Sequence, residues 1–202
     1  MAAIRQHPSL QPPEEPMPLP RPRSEAAPAV GAPYDGHGRA ARPVPLSWFN
    51  SAPAEETTAL LLGCCGSRRW AARIAACRPY PDVEALLAAV DEASYDMTHT
   101  DLAEALAAER AQQTCTVPGG VAPHARTALR AAHAAYESRF GHTFLICLDD
   151  YRPDQRLDQA LAGVRDRLGN DAEEERVVVS DELRRTARGR IVRRVAARRG
   201  RA

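Results

Sequence analysis

The 202-residue chain contains no lysine; all 27 of its basic residues are arginine. That excludes any mechanism built on a Schiff-base lysine. Aromatic residues make up only 5%. The five cysteines, Cys64, Cys65, Cys77, Cys115 and Cys147, include no CxxC pair and follow no regular spacing. This argues against a zinc site and fits buried thiols in a reducing cytoplasm. No apolar run approaches the roughly 20 residues of a membrane span. Met1 to Pro22 has no apolar signal core, and Arg199 to Ala202 carries no legible address. The formal net charge is only +1, so no global field points to nucleic acid or a membrane. A cytoplasmic protein with neither of those partners is the expectation.

Hydrophobic residues nonetheless reach 44%. Alanine and leucine supply most of them, which favours helix over sheet. Residues 1–43 hold ten of the seventeen prolines and read as a disordered tail, because such a segment buries too little apolar area to offset its ordering entropy. Residues 44–198 read as one all-α bundle of about six to eight helices. Leu46, Trp48 and Phe49 form an apolar cluster ahead of a helix expected to be capped by Ser51 and stopped at Gly63. Ser67 is the expected cap of the next helix, which Pro79 and Pro81 end. Asp82 opens a third, with Val83, Leu86, Leu87 and Val90 at i, i+3, i+4, i+7. A fourth runs from Thr100 or Asp101 to about Arg110, before a Pro/Gly loop over 113–123. A fifth covers about 124–139, and Phe144 to Leu148 is a short apolar segment. A sixth carries Leu157, Leu161, Val164 and Leu168 in register. After Gly169, Asn170 or Asp171 caps a last helix that is acidic in its first turn and arginine-rich in its last.

Few residues carry chemistry unaided. His99 stands just before a helix, where an imidazole could move protons beside backbone N–H groups able to hold a carboxylate; a cap or surface histidine is the plain alternative. Arg190 could grip a carboxylate or planar urea through two parallel hydrogen bonds; a solvated arginine face is the plain alternative there. Phe144, Leu145 and Ile146 read equally well as core, and Trp70, Tyr80 and Tyr136 read as core. Cys64 and Cys65 read as packing, not nucleophiles.

Several short stretches, in order, carry a resemblance. They are Cys65-Gly66-Ser67-Arg68-Arg69-Trp70, His99-Thr100-Asp101-Leu102, Arg139-Phe140-Gly141-His142-Thr143-Phe144-Leu145-Ile146-Cys147, Arg167-Leu168-Gly169-Asn170-Asp171 and Ala187-Arg188-Gly189-Arg190-Ile191. Together they resemble the decarboxylases that act on 2-oxo-4-hydroxy-4-carboxy-5-ureidoimidazoline (OHCU) in urate breakdown. The likeness covers about residues 46–195. It implies an all-α fold, decarboxylation of a small ureidoimidazoline to (S)-allantoin, no cofactor and a homodimer. It implies that His99 is the central catalytic group. Arg190 would clamp an anionic part of the substrate, the backbone of Phe144, Leu145 and Ile146 would hold the ring edge, and Asp101 would join the substrate-binding set.

The resemblance has gaps. Thr100 replaces the proline of the family's His-Pro-acidic-Leu motif, and His142 replaces an apolar residue. The family's Ser-x-x-Glu-Gln motif, whose glutamate pairs with the histidine, has no clear counterpart. Glu104 and Glu109 are the carboxylates nearest in sequence, and the segment between Leu102 and Leu129 is short. Two alternatives therefore stand beside the lyase: a helical scaffold that has lost its site, and a module binding RNA or a partner through the arginine-rich last helix.

Overall fold

The structure is a computed structural model and describes residues 43–113 and 123–196. The tail over 1–43, apart from Pro43, lies outside the described residues, as does most of the loop over 113–123. Among the described residues the fold has eight helices: α1 (Leu46–Ser51), α2 (Ala54–Leu62), α3 (Arg68–Ala76), α4 (Val83–Tyr95), α5 (His99–Gln113), α6 (Pro123–Phe140), α7 (Arg156–Arg167) and α8 (Ala172–Arg194). The one addition to the expected all-α architecture is a parallel pair of two-residue strands. β1 (Val44–Pro45) and β2 (Val195–Ala196) join the entry to α1 with the exit of α8.

Local chemistry sets most helix ends. The Ser67 hydroxyl accepts from Trp70 N–H at 3.3 Å and Asp82 Oδ1 from Ala85 N–H at 2.8 Å, so each satisfies an orphan donor. Asp171 opens α8 with a full capping box closed by Glu174. The cap expected at Ser51 is not made. Leu46 to Ser51 form a separate short helix that buries Phe49, the Ser51 hydroxyl turns back to the Ser47 carbonyl at 2.9 Å, and Pro53 takes the N-cap of α2. Arg78 gathers the loose end of α1, donating to the Phe49 and Ala52 carbonyls, both at 2.9 Å, and to the Thr57 hydroxyl at 2.7 Å.

Two apolar cores result. The larger draws on α1 to α5 and α8, with Phe49, Leu61, Trp70, Ile74, Leu86, Val90, Leu183 and Ile191 at its centre. Gly66 lets α5 approach the turn after α2, since a Cβ there would lie 2.2 Å from the Ala108 Cβ. The smaller core joins α6 to α7 through Tyr136, Phe144 and Val164. The segment 143–147, which follows α6 and precedes α7, threads both. Phe144 and Ile146 face the small core and Leu145 the large one, the alternation of an extended chain.

A polar network locks the two cores together. Arg167 on α7 donates from Nε to Glu175 Oε1 on α8 at 2.9 Å, and from Nη1 to the Leu145 carbonyl at 2.6 Å. Tyr136 on α6 donates its hydroxyl to the same carboxylate, and Asn170 donates to Oε2 at 2.9 Å. Arg167 also lies 4.7 Å from the Phe144 ring centroid. Glu175 is fully buried and Arg167 nearly so. Taking either charge out of water costs several kcal/mol, so the pair survives only because its hydrogen bonds are filled. Glu175→Ala leaves Arg167 uncompensated and is expected to cost about 3–5 kcal/mol in urea unfolding. Tyr136→Phe, which leaves Arg167 and Asn170 on the carboxylate, should cost about 1–3 kcal/mol. Equal losses in the two variants would refute the central place given to Glu175.

Candidate active site

α5 begins at the residue the sequence singles out. Thr98 precedes it and its N–H and hydroxyl donate to Asp101 Oδ2 at 2.8 and 2.7 Å, while Asp101 N–H returns to the Thr98 hydroxyl at 3.3 Å. This reciprocal pairing is a capping box with aspartate in the glutamate place. Arg69 adds a contact at 3.1 Å. The Thr98 hydrogen bonds hold the Asp101 carboxyl below its ordinary pKa. Asp101 is thus committed to the start of α5.

His99 itself is exposed. Its Nε2 meets Arg176 Nη1 on the second turn of α8, and Arg176 also pairs with Glu173. A guanidinium only donates, so Nε2 accepts and the ring proton sits on Nδ1. A shallow open recess of only about 10 Å³ lies at Arg69, Trp70, Arg73, Asp96, Met97 and Asp101, and neither His99 nor Arg176 lines it. No carboxylate partner of His99 comes from α5: Glu104 pairs with Arg68, and Glu109 with Arg190.

That last pair changes the expected site. Glu109 and Arg190 face each other fork to fork, Nη1 on Oε1 and Nη2 on Oε2, the latter at 2.8 Å. Nη1 also donates to the Cys64 carbonyl at 3.0 Å. Glu109 is buried. Burial works against the charge of Arg190, but the Glu109 carboxylate outweighs it and raises the guanidinium pKa above its ordinary value. Glu109 lies ten residues beyond His99 on one unbroken helix, a separation of about 15 Å along the axis. His99 and Arg190 are therefore not brought together.

Phe144, Leu145 and Cys147 are buried and Ile146 is half-buried. The Leu145 carbonyl is taken by Arg167, and Cys147 N–H donates to Glu182 Oε2 at 2.6 Å. His142 packs edge-on to Tyr136 and stacks on Phe140. Burial pushes the Cys64 thiol up to about 11 and Cys65 to about 12, so both stay protonated. Cys64, Cys65, Cys77 and Cys147 are free. The arginines of α8 are largely paired: Arg184 and Arg188 with Asp91, Arg185 with Asp150, and Arg193 with Asp149. Sequence reasoning missed Arg176 as the neighbour of His99 and Glu175 as the partner of Arg167. Both sit in an acidic helix start whose charges already had an explanation in the helix dipole.

Residues 50–192 match the sequence profile of the family described as OHCU decarboxylase. Among solved structures the chain is similar to one titled as the crystal structure of (S)-allantoin synthase, with a TM-score of 0.60 and 17% identity. The alignment covers 76% of this chain and 54% of that one, so the chain spans about half the length of that protein. No curated protein sequence matches the chain.

The Asp101 geometry sets a pH dependence. A carboxyl whose folded pKa is depressed contributes fully above its unfolded value, about 3.9, and loses that contribution as pH falls through the lower folded value. Asp101→Asn should therefore melt below the wild type at pH 7, by about 1 kcal/mol. The gap should close in the acid range below about pH 4. A gap that stays constant with pH in scanning calorimetry would contradict the capping role.

Proposed function

Because the chain belongs to the OHCU decarboxylase family, we propose that it is a cofactor-independent carboxy-lyase that converts 2-oxo-4-hydroxy-4-carboxy-5-ureidoimidazoline to (S)-allantoin. The family match carries this reading, since it runs from the end of α1 through all but the last two residues of α8. The substrate bears a carboxylate and a hydroxyl on one ring carbon. When the carbon–carboxyl bond breaks, its electron pair passes into the adjacent unsaturated ring system, so the substrate is its own electron sink. The hydroxyl-bearing carbon becomes a carbonyl as its O–H proton leaves, and a proton must reach one face of the neighbouring ureido-bearing carbon, which sets the hand of the product.

His99 is the group assigned to that proton. Its Nδ1 carries one in the tautomer that Arg176 enforces. Arg176 is the guanidinium in contact with His99 and is assigned the substrate's anionic end. The backbone of Phe144, Leu145 and Ile146, steadied by Arg167 and Glu182, is assigned the ring edge. The reading includes a cytoplasmic location and a homodimer, which light scattering on the purified protein checks. No described helix is long and apolar enough to cross a membrane.

A second reading is a helical scaffold without catalysis. The separation of His99 from Arg190 favours it, as does the occupation of Arg190 by Glu109. Freshly generated substrate mixed with the protein decides between them, with chiral allantoin followed by circular dichroism. The lyase reading expects acceleration over the spontaneous rate and a loss of about 10²–10⁴-fold in His99→Ala. An unchanged spontaneous rate at micromolar protein selects the scaffold.

A further inference from the structure

The ion pair between α5 and α8 has a feature that a simple packing role does not require. Arg190 presents its planar edge to a carboxylate with two parallel contacts, Nη1 on Oε1 and Nη2 on Oε2. This is the geometry with which a guanidinium binds a free carboxylate ligand. The Cys64 carbonyl anchors Nη1 from the other side at 3.0 Å and fixes the plane of the fork. The Arg190 side chain remains 17% exposed while Glu109 is 2% exposed. The Arg190 side chain is thus mostly covered and the carboxylate almost wholly so.

We infer that Glu109 is an internal ligand of an anion site at Arg190, holding the place of a small external carboxylate and excluding such molecules from the intact protein. The inference extends the proposed function, because Arg190 is the residue that the family likeness assigns to the substrate's anion. In this chain that guanidinium already holds a carboxylate. Glu109 is then a specificity-determining residue, one that sets whether an anion is admitted at Arg190. It reaches this position because α5 is continuous from His99 past Glu109, where the long Arg190 side chain of α8 meets it.

Truncation at this residue has a defined shape. Glu109→Ala removes the terminal CH₂ and carboxylate, which together have the size of acetate. The remaining site keeps the oriented Arg190 fork and the Cys64 carbonyl. The experiment is a thermal melt of wild type, Glu109→Ala, Glu109→Asp and the Glu109→Ala/Arg190→Ala double variant. Each is titrated with sodium acetate at constant ionic strength against sodium chloride. Glu109→Ala should melt lower than the wild type in chloride. It should regain on the order of 3–6 °C at acetate about tenfold above its Kd, with saturation. Wild type, Glu109→Asp and the double variant should show no acetate-specific rise.

If Glu109→Ala does not fold in chloride, the same readout is recovery of helical circular dichroism on refolding in acetate. No acetate-specific recovery in Glu109→Ala overturns the inference, and so does an equal recovery in the double variant. The melt needs no turnover. An acetate response in a protein that never accelerates allantoin formation removes the lyase reading and leaves this one. Turnover without an acetate response does the reverse.

Discussion

The fold hinges on a single buried carboxylate. Glu175 receives Tyr136 from α6, Arg167 from α7 and Asn170 from the turn ahead of α8. Through Arg167 it also reaches the Leu145 carbonyl. Four pieces of chain that share no single apolar surface are thereby held at one point. An apolar residue in the same place could fill space, but it could not fix the orientation of a carbonyl or the angle of α7. Hydrogen bonds are directional and hydrophobic contact is not. The extended segment 143–147 can serve two cores at once because its backbone is gripped at Leu145 and at Cys147.

A second ion pair, Glu109 with Arg190, plays a different part. It clamps α5 to α8 at one level, while His99 with Arg176 clamps them at another. The two helices are thus linked through long side chains at two levels. The residues that family likeness would gather into one pocket are instead spread along that seam. The chemistry available at each level differs. An exposed imidazole beside a guanidinium lies near the start of α5, and a buried, self-satisfied charge pair lies further along. The tension between a lyase and a scaffold arises from this spacing, together with the motif that the segment after α5 lacks.

Much of the fold was legible because its signals are local. Asp82, Ser67 and Asp171 cap helices, as a short polar side chain at an N-terminus must if it is to satisfy free N–H groups. The Val83, Leu86, Leu87, Val90 stripe faces the core because a helix repeats every 3.6 residues. The failure at Ser51 is also local: the cluster around Phe49 is itself helical and takes the serine into its last turn. The site was less legible. His99, Asp101 and Arg190 were each picked out, yet nothing in their spacing said that Asp101 would close a cap, or that Glu109 would choose Arg190 over His99.

By itself the chain's order of residues determined an all-helical domain, most of its helix ends and its membership of a decarboxylase family, since capping, periodicity and short motifs act within a few residues of one another. Only the tertiary structure decided which charges meet. Partners such as Glu109 and Arg190 lie 81 positions apart, and Arg176 and His99 lie 77 apart. Pairing across that distance depends on how two helices pack, and helix packing is set by the summed burial of many side chains rather than by the charged residues themselves.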